Sequence, residues 1–342
     1  MEKKYQIEMF GVTSDEKERL EFHFKERNID VEIKYFTDKI NSETLPVSDA
    51  EILSVFVDSV VDAKVMDKFP KLSLIVARST GYDNIDLTEA KRRNIKVSNV
   101  PSYGECTVAE YAFGLILMLS RKIHLSINKN SELCLTNASN IRGFDLNNKT
   151  IGIIGTGKIG KHVVSIAKGF GMNVLAFDNF QDKKAEIELG FKYVDLDKLL
   201  QESDIVSIHI PYTKETEHLI NEKSFLLMKK NAIIINTSRG GIIDTNALVQ
   251  ALNNNQIAGA GLDVIEEENV IKDETAFILS NKKPDEQELC TIIADHALMK
   301  MPNVIITPHN AYNTNEALDR ILDRTTKNID SWIKSMPINI VS

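Results

Sequence analysis

At 342 residues the chain is too long for one ordinary hydrophobic core, and about two domains are expected. Hydrophobic residues at 43% and charged residues at 26% are the balance of a soluble globular enzyme. A formal net charge of −8 argues against nucleic-acid binding, which needs a basic face.

The first third alternates strands and helices. Residues 5–11 read as a strand, 14–27 as a helix, 31–36 and 52–57 as strands, 60–68 as a helix, 72–78 as a strand, 87–93 as a helix and 97–100 as a strand. The basic run Lys91-Arg92-Arg93 falls at a helix end, where it caps the dipole or faces solvent. Pro101 breaks the chain, and a long apolar helix is expected over 107–125; its most apolar stretch, Tyr111–Leu119, is too short to span a membrane. A second alternation follows, with strands at 150–154, 173–177, 205–210, 232–236, 259–263 and 304–307. Helical periodicity returns over 313–334. This spacing implies two doubly wound parallel-sheet α/β domains: a Rossmann-type domain, 102–311, inserted into a flavodoxin-like domain built from 1–101 and 312–342.

Cys106, Cys134 and Cys290 are isolated and lack C-x-x-C pairing. They fit buried or incidental thiols in a reducing cytoplasm rather than a disulfide frame or a metal site. The first eight residues contain no apolar signal-peptide core, so a cytoplasmic location without membrane attachment is the expectation.

The glycine-rich turn Gly155-Thr156-Gly157-Lys158-Ile159-Gly160 lies between an apolar strand and a helical stretch, and a second strand ends at Asp178. This is the order of a dinucleotide site. Gly155 permits the tight turn, Gly157 lets backbone amides approach a pyrophosphate, and Gly160 lets helix pack on strand. The helix N-terminus offers free N–H groups to the phosphates. Asp178 can accept from both ribose hydroxyls and repels a 2′-phosphate, which favours NAD over NADP.

Four residues follow strand ends in the second alternation: Arg239, Asp263, Glu268 five positions later, and His309 after Thr307-Pro308. Ligands bind at the carboxyl ends of such strands. Arg239 can fork onto a carboxylate, and His309 can exchange a proton with a carbonyl oxygen, its ring oriented by an acid. A structural reading stands beside each: Arg239 as a helix cap, Glu268 as one of three solvated acids, Asp263 as an N-cap and His309 as a satisfied structural histidine; Tyr103, at the Pro101 hinge, can likewise be hinge packing. His296 has no motif around it and reads as surface or structural.

The chain resembles the D-isomer-specific 2-hydroxyacid dehydrogenase family. The resemblance is carried by Arg78-Ser79-Thr80-Gly81-Tyr82-Asp83-Asn84-Ile85-Asp86, Val100-Pro101-Ser102-Tyr103-Gly104-Glu105-Cys106-Thr107-Val108-Ala109-Glu110, the glycine turn, His209-Ile210-Pro211, Ile235-Asn236-Thr237-Ser238-Arg239-Gly240, Gly261-Leu262-Asp263-Val264 and Thr307-Pro308-His309-Asn310-Ala311. It implies Arg239, Glu268 and His309 as the catalytic trio; the five-residue step from Asp263 selects Glu268 over Glu266 and Glu267. It implies substrate contacts from Ser79, Thr80, Gly81, Tyr103 and Tyr312. Cofactor contacts are implied for Val108, Gly155 to Gly160, Asp178, His209, Ile210, Pro211, Thr216, Thr237, Ser238, Arg239, Asp263, His309 and Ala311. It further implies NAD as cofactor, a 2-keto or 2-hydroxy acid as substrate, a homodimer formed mainly through the cofactor domains, and no metal.

Within the family the resemblance is to the D-lactate dehydrogenase branch, with pyruvate to D-lactate the expected reaction. D-2-hydroxyisocaproate-type and glyoxylate/hydroxypyruvate-type enzymes are the nearest alternatives, and an NAD(H)-sensing corepressor-like protein is the alternative of another class. The stretch from Glu268 to His309, containing Asn281-Lys282-Lys283-Pro284-Asp285-Glu286, is longer than the family's usual.

Overall fold

The computed structural model describes residues 4–127, 141–272 and 284–342. Cys134 and residues 281–283 of the long segment lie outside the described residues. The chain divides into two compact units, Met1–Tyr103 with Asn313–Ser342, and Gly104–Tyr312.

The first unit holds five strands, β1 (Tyr5–Phe10), β2 (Val31–Phe36), β3 (Ile52–Val55), β4 (Leu74–Ala77) and β5 (Lys96–Ser98). They pair in the parallel order β2-β1-β3-β4-β5. All four residues of β3 and of β4 are buried, as expected where helices cover both faces of a parallel sheet. Helix Ser14–Glu26 starts with a Thr13–Glu16 capping box. Helix Asn315–Ile333, capped by Thr314, packs beside it, and Arg19 bonds Asp319 at 3.2 Å. The expected helix at 60–68 is only one turn, Ala63–Met66, capped by Asp62. The C-terminal tail runs antiparallel beside β5, where the Val341 amide donates to the Val97 carbonyl at 2.8 Å.

The second unit holds seven strands: β6 (Thr150–Ile154), β7 (Asn173–Phe177), β8 (Lys192–Tyr193), β9 (Ile205–Ile208), β10 (Ile233–Asn236), β11 (Gly259–Leu262) and β12 (Val304–Ile306). Their parallel order is β12-β11-β10-β9-β6-β7-β8, and the order reverses between β6 and β9. Such a reversal opens a crevice at the carboxyl ends of the two strands.

The single helix expected over 107–125 is instead two, Glu105–Ser120 and Ile123–Ile127. Lys122 between them is left-handed at φ 52°. The returning chain ends the first helix: the Phe144 amide takes the Ser120 carbonyl at 2.8 Å. Cys106 and Cys290 are exposed, and Cys106 lies 2.9 Å from Glu110. Among the described residues no helix is long and apolar enough to cross a membrane.

Candidate active site in the second unit

The glycine turn occupies the strand-order reversal. A Cβ on Gly155, at φ 96°, would sit 2.4 Å from the carbonyl oxygen of His209, which follows β9. A Cβ on Gly160 would sit 2.0 Å from the Gly155 carbonyl oxygen, so helix Lys158–Gly169 reaches this close only with glycine there. Gly157 differs: a Cβ there would meet nothing within 4 Å. It is the N-cap of that helix and makes no side-chain cap bond, leaving first-turn amides available to an anion.

Asp178 directly follows β7. Its Oδ2 accepts from the Thr156 amide at 2.7 Å and the Thr156 hydroxyl at 3.0 Å, and its Oδ1 accepts from the Phe180 amide at 2.8 Å. A carboxylate has about four acceptor positions. Three are therefore used internally, and Oδ1 retains the capacity to receive a ribose hydroxyl. Tyr193 on β8 braces the same corner, its hydroxyl 2.7 Å from that of Thr156 and 3.1 Å from the Asp182 amide. Neither β8 nor Tyr193 was expected, because a two-residue strand leaves no periodicity to read.

The second cluster forms where β10, β11 and β12 end. The register Leu262↔Ile306 brings Asp263 beside Thr307. Asp263 is fully buried and accepts from the Thr307 hydroxyl at 2.6 Å, the Asn310 amide at 2.9 Å and the Ala311 amide at 2.8 Å. Burial pushes its carboxyl above the usual range, opposed by those three bonds and by His309. Its own carbonyl accepts the His309 amide at 2.9 Å. His309 is left-handed, at φ 53°.

The His309 Nδ1 lies 3.1 and 3.2 Å from the two carboxylate oxygens of Glu268, the first residue of helix Glu268–Lys272. Glu266 and Glu267 are held by other groups. Glu266 lies 2.6 Å from His218 Nε2 and 2.9 Å from the Thr245 hydroxyl, while the Glu267 amide bonds Asp295 at 3.1 Å. Of the three consecutive glutamates, the one that meets His309 is Glu268, the one the five-residue step from Asp263 selects.

Arg239 follows β10 and starts a turn fastened by buried Asn236. That side chain donates to the Arg239 carbonyl at 2.9 Å and accepts the Ser238 amide at 3.0 Å. Ser238 ties the turn to β9 through the Ile208 carbonyl at 2.9 Å. Burial pushes His209 down to about 3, leaving it neutral; its Nε2 meets the Ser207 hydroxyl at 2.8 Å. Thr216 closes its own loop on the Pro211 carbonyl at 2.8 Å. Val108 lies in the first turn of helix Glu105–Ser120, Ala311 is buried beside Asp263, and Tyr312 also belongs to this unit. His296 stands in the last turn of helix Glu286–Leu298.

The first unit carries its own set at the end of β4. The Ser79 hydroxyl donates to the Gly81 carbonyl at 2.6 Å and the Thr80 hydroxyl to the Val100 carbonyl at 2.9 Å. The Tyr103 carbonyl accepts from Arg320 at 2.6 Å.

The family model for the D-isomer-specific 2-hydroxyacid dehydrogenase NAD-binding domain matches residues 113–311. The chain belongs to that family. This dehydrogenase is 38% identical over 304 residues to a glyoxylate reductase of Thermococcus litoralis, covering 86% of this chain and 85% of the relative. It is 37% identical over 309 residues to a D-lactate dehydrogenase of Escherichia coli, covering 89% and 90%. Among solved structures, a D-lactate dehydrogenase from Aquifex aeolicus complexed with NAD and lactic acid superposes with a TM-score of 0.85 at 35% identity, covering 98% of each chain.

NAD is the cofactor of this dehydrogenase, and its own residues fit that group. The open space at Gly157, the uncapped helix start and the remaining capacity of Asp178 suit a dinucleotide. The buried Thr237 hydroxyl and His209 Nδ1, neither with a hydrogen-bond partner among the described residues, are polar atoms such a ligand can satisfy. Among the described residues no three His, Cys, Asp or Glu side chains gather closely enough to hold a metal ion.

Proposed function

We propose that this dehydrogenase reduces a small 2-keto acid to its D-2-hydroxy acid, with pyruvate to D-lactate the first candidate. The observation that carries the reading is the His309–Glu268 contact beside the Arg239 turn. Bound NADH supplies the hydride. The Arg239 guanidinium clamps the substrate carboxylate and polarises the adjacent carbonyl. The His309 imidazolium gives its Nε2 proton to the carbonyl oxygen, and Glu268 at Nδ1 stabilises the charged ring before the transfer and fixes its tautomer after it. In the oxidative direction His309 takes the proton back. Asp263 holds the His309 backbone and supports the nicotinamide side of the site.

Ser79, Thr80, Gly81, Tyr103 and Tyr312 belong to the same proposal as substrate-contacting residues. A homodimer in the cytoplasm belongs to the same proposal, and sedimentation of the purified chain checks its assembly.

The test is a panel of pyruvate, glyoxylate, hydroxypyruvate, 2-ketobutyrate and 2-ketoisocaproate with NADH and NADPH. Oxidation of NADH fastest with pyruvate supports the reading. Preference for glyoxylate or 2-ketoisocaproate replaces the substrate while keeping the chemistry. No turnover across the panel overturns it.

A further inference from the structure

Asp295 is wholly buried near the end of helix Glu286–Leu298 and takes no part in the chemistry above. Its Oδ2 accepts the Glu267 amide at 3.1 Å, and its buried Oδ1 has no hydrogen-bond partner among the described residues. The adjacent residue, Glu266, is held from another direction: its carboxylate meets His218 at 2.6 Å, the Thr245 hydroxyl at 2.9 Å and the Thr245 amide at 3.4 Å. The backbone of Glu266 and Glu267 is thereby gripped by two separate sets of side chains. The next residue is Glu268, whose carboxylate faces His309.

A buried carboxylate is a costly device for holding one amide, and an apolar residue would fill the same space at less expense. The surroundings raise that cost. Burial first, then the charges of Glu266 and Glu267, push Asp295 up to about 7, despite the opposing bond from the Glu267 amide. Glu267 is itself pushed up by burial and by Glu288, Glu266 and Asp285. Helix Thr245–Asn253, packed against the Asp295 helix, carries no titratable side chain to offset this, and His218 is engaged with Glu266. Among the described residues the Asp295 carboxylate makes one hydrogen bond, with the Glu267 amide, and that is the contact an apolar residue could not provide.

We infer that Asp295 is a positioning residue: by holding the Glu267 amide it sets the Glu268 carboxylate against His309. The inference rests on the reading of Glu268 and His309 as the acid–base pair.

The full chain is compared with Asp295→Leu, which removes the acceptor while keeping the branched shape, and Asp295→Asn, which keeps it. Asp295→Ala serves the same purpose as Leu should the larger side chain lower the melting temperature. Three readouts are taken: exchange of the Glu267 amide, NMR titration of the His309 ring, and the pH profile of kcat with KM for NADH. In Asp295→Leu the amide should exchange at least about tenfold faster, and the His309 titration should move in the same direction as in Glu268→Gln. Its kcat should fall about tenfold or more with KM for NADH unchanged, and Asp295→Asn should keep all three near wild type. The inference is overturned if Asp295→Leu leaves exchange and ring titration as in wild type, or if Asp295→Asn is as impaired as Asp295→Leu. Exchange and titration need no turnover, so wild-type protein that reduced no 2-keto acid would sink the proposed function and still leave Asp295 tested.

Discussion

Gly240 and Ile265 are in contact through backbone alone: a Cβ on Gly240 would lie 2.1 Å from both the carbonyl carbon and the carbonyl oxygen of Ile265, and 2.4 Å from the Glu266 nitrogen. The turn presenting Arg239 therefore rests directly on the segment that leads to Glu268. Gly240→Ala must push the two apart, since neither neighbour is a flexible side-chain end. A loss of about 1–3 kcal/mol is expected, read as a fall in melting temperature, with kcat down about tenfold or more. Unchanged melting and unchanged kcat would show that the contact fixes neither element.

The glycines of the phosphate turn should separate into two kinds. Gly157→Ala meets open space, so its melting temperature should match wild type while Kd for NADH rises about tenfold or more. Gly160→Ala meets the Gly155 carbonyl and should melt earlier. Calorimetry and NADH fluorescence titration give both numbers, and equal melting of the two variants would contradict the assignment.

His309→Gln should lower kcat by about 10²–10⁴-fold with Kd for NADH close to wild type. Glu268→Gln should cost less and alter the pH profile of kcat, because His309 keeps a hydrogen-bond partner at Nδ1 but loses its negative charge. Steady-state kinetics from about pH 5 to 9 decide this, and normal turnover by His309→Gln would remove the acid–base assignment.

The buried carboxyls make stability fall with rising pH. Asp295 sits at about 7 in the folded chain against 3.8 for its ordinary value. Between those limits the folded state binds the extra proton, so the contribution is full at the acid end and is lost as pH rises through about 7. Asp263, also raised by burial, acts with the same sign. Asp295→Asn should flatten this slope and raise stability at pH 8, on the order of 2–4 kcal/mol, with little effect at about pH 4. Thermal melts across that range test it, and parallel curves for variant and wild type would refute it.

Tyr193→Phe should loosen the Thr156–Asp178 corner and raise Kd for NADH about two- to tenfold, by loss of the hydroxyl's contacts with Thr156 and the Asp182 amide. Asp178→Ala should lose more NADH affinity and narrow the preference over NADPH, because the charge that repels a 2′-phosphate is gone. Binding titrations with both cofactors separate the two effects.

Which of these features were legible in the linear chain follows from how local they are. The apolar runs of β9 and β10 and the glycines after β6 announce themselves within a few residues. Arg239, Asp263 and His309 are visible because each follows such a strand. Glu268 needed the family spacing to stand apart from its two neighbours. The break at Lys122 was invisible because it depends on Phe144, more than twenty residues on, taking the Ser120 carbonyl. Tyr193 sits on a strand of two residues, too short for a pattern. Asp295, beside the more conspicuous His296, looks like any helical acid; only packing reveals that it is buried against Glu267.

Asp263 spends both carboxylate oxygens on residues 307 to 311 and its carbonyl on His309. Acid and histidine are one mechanical piece, and neither can drift without the other. Under the proposed reading, a lineage can exchange one keto acid for another only by altering residues outside this piece, such as Ser79, Thr80 and Tyr103. Natural variation and directed evolution should accordingly concentrate there while the β11–β12 junction stays invariant. Chemistry inherited as a block, with recognition free to vary, offers a physical reason why glyoxylate reductases and D-lactate dehydrogenases stand at nearly equal distance from this chain.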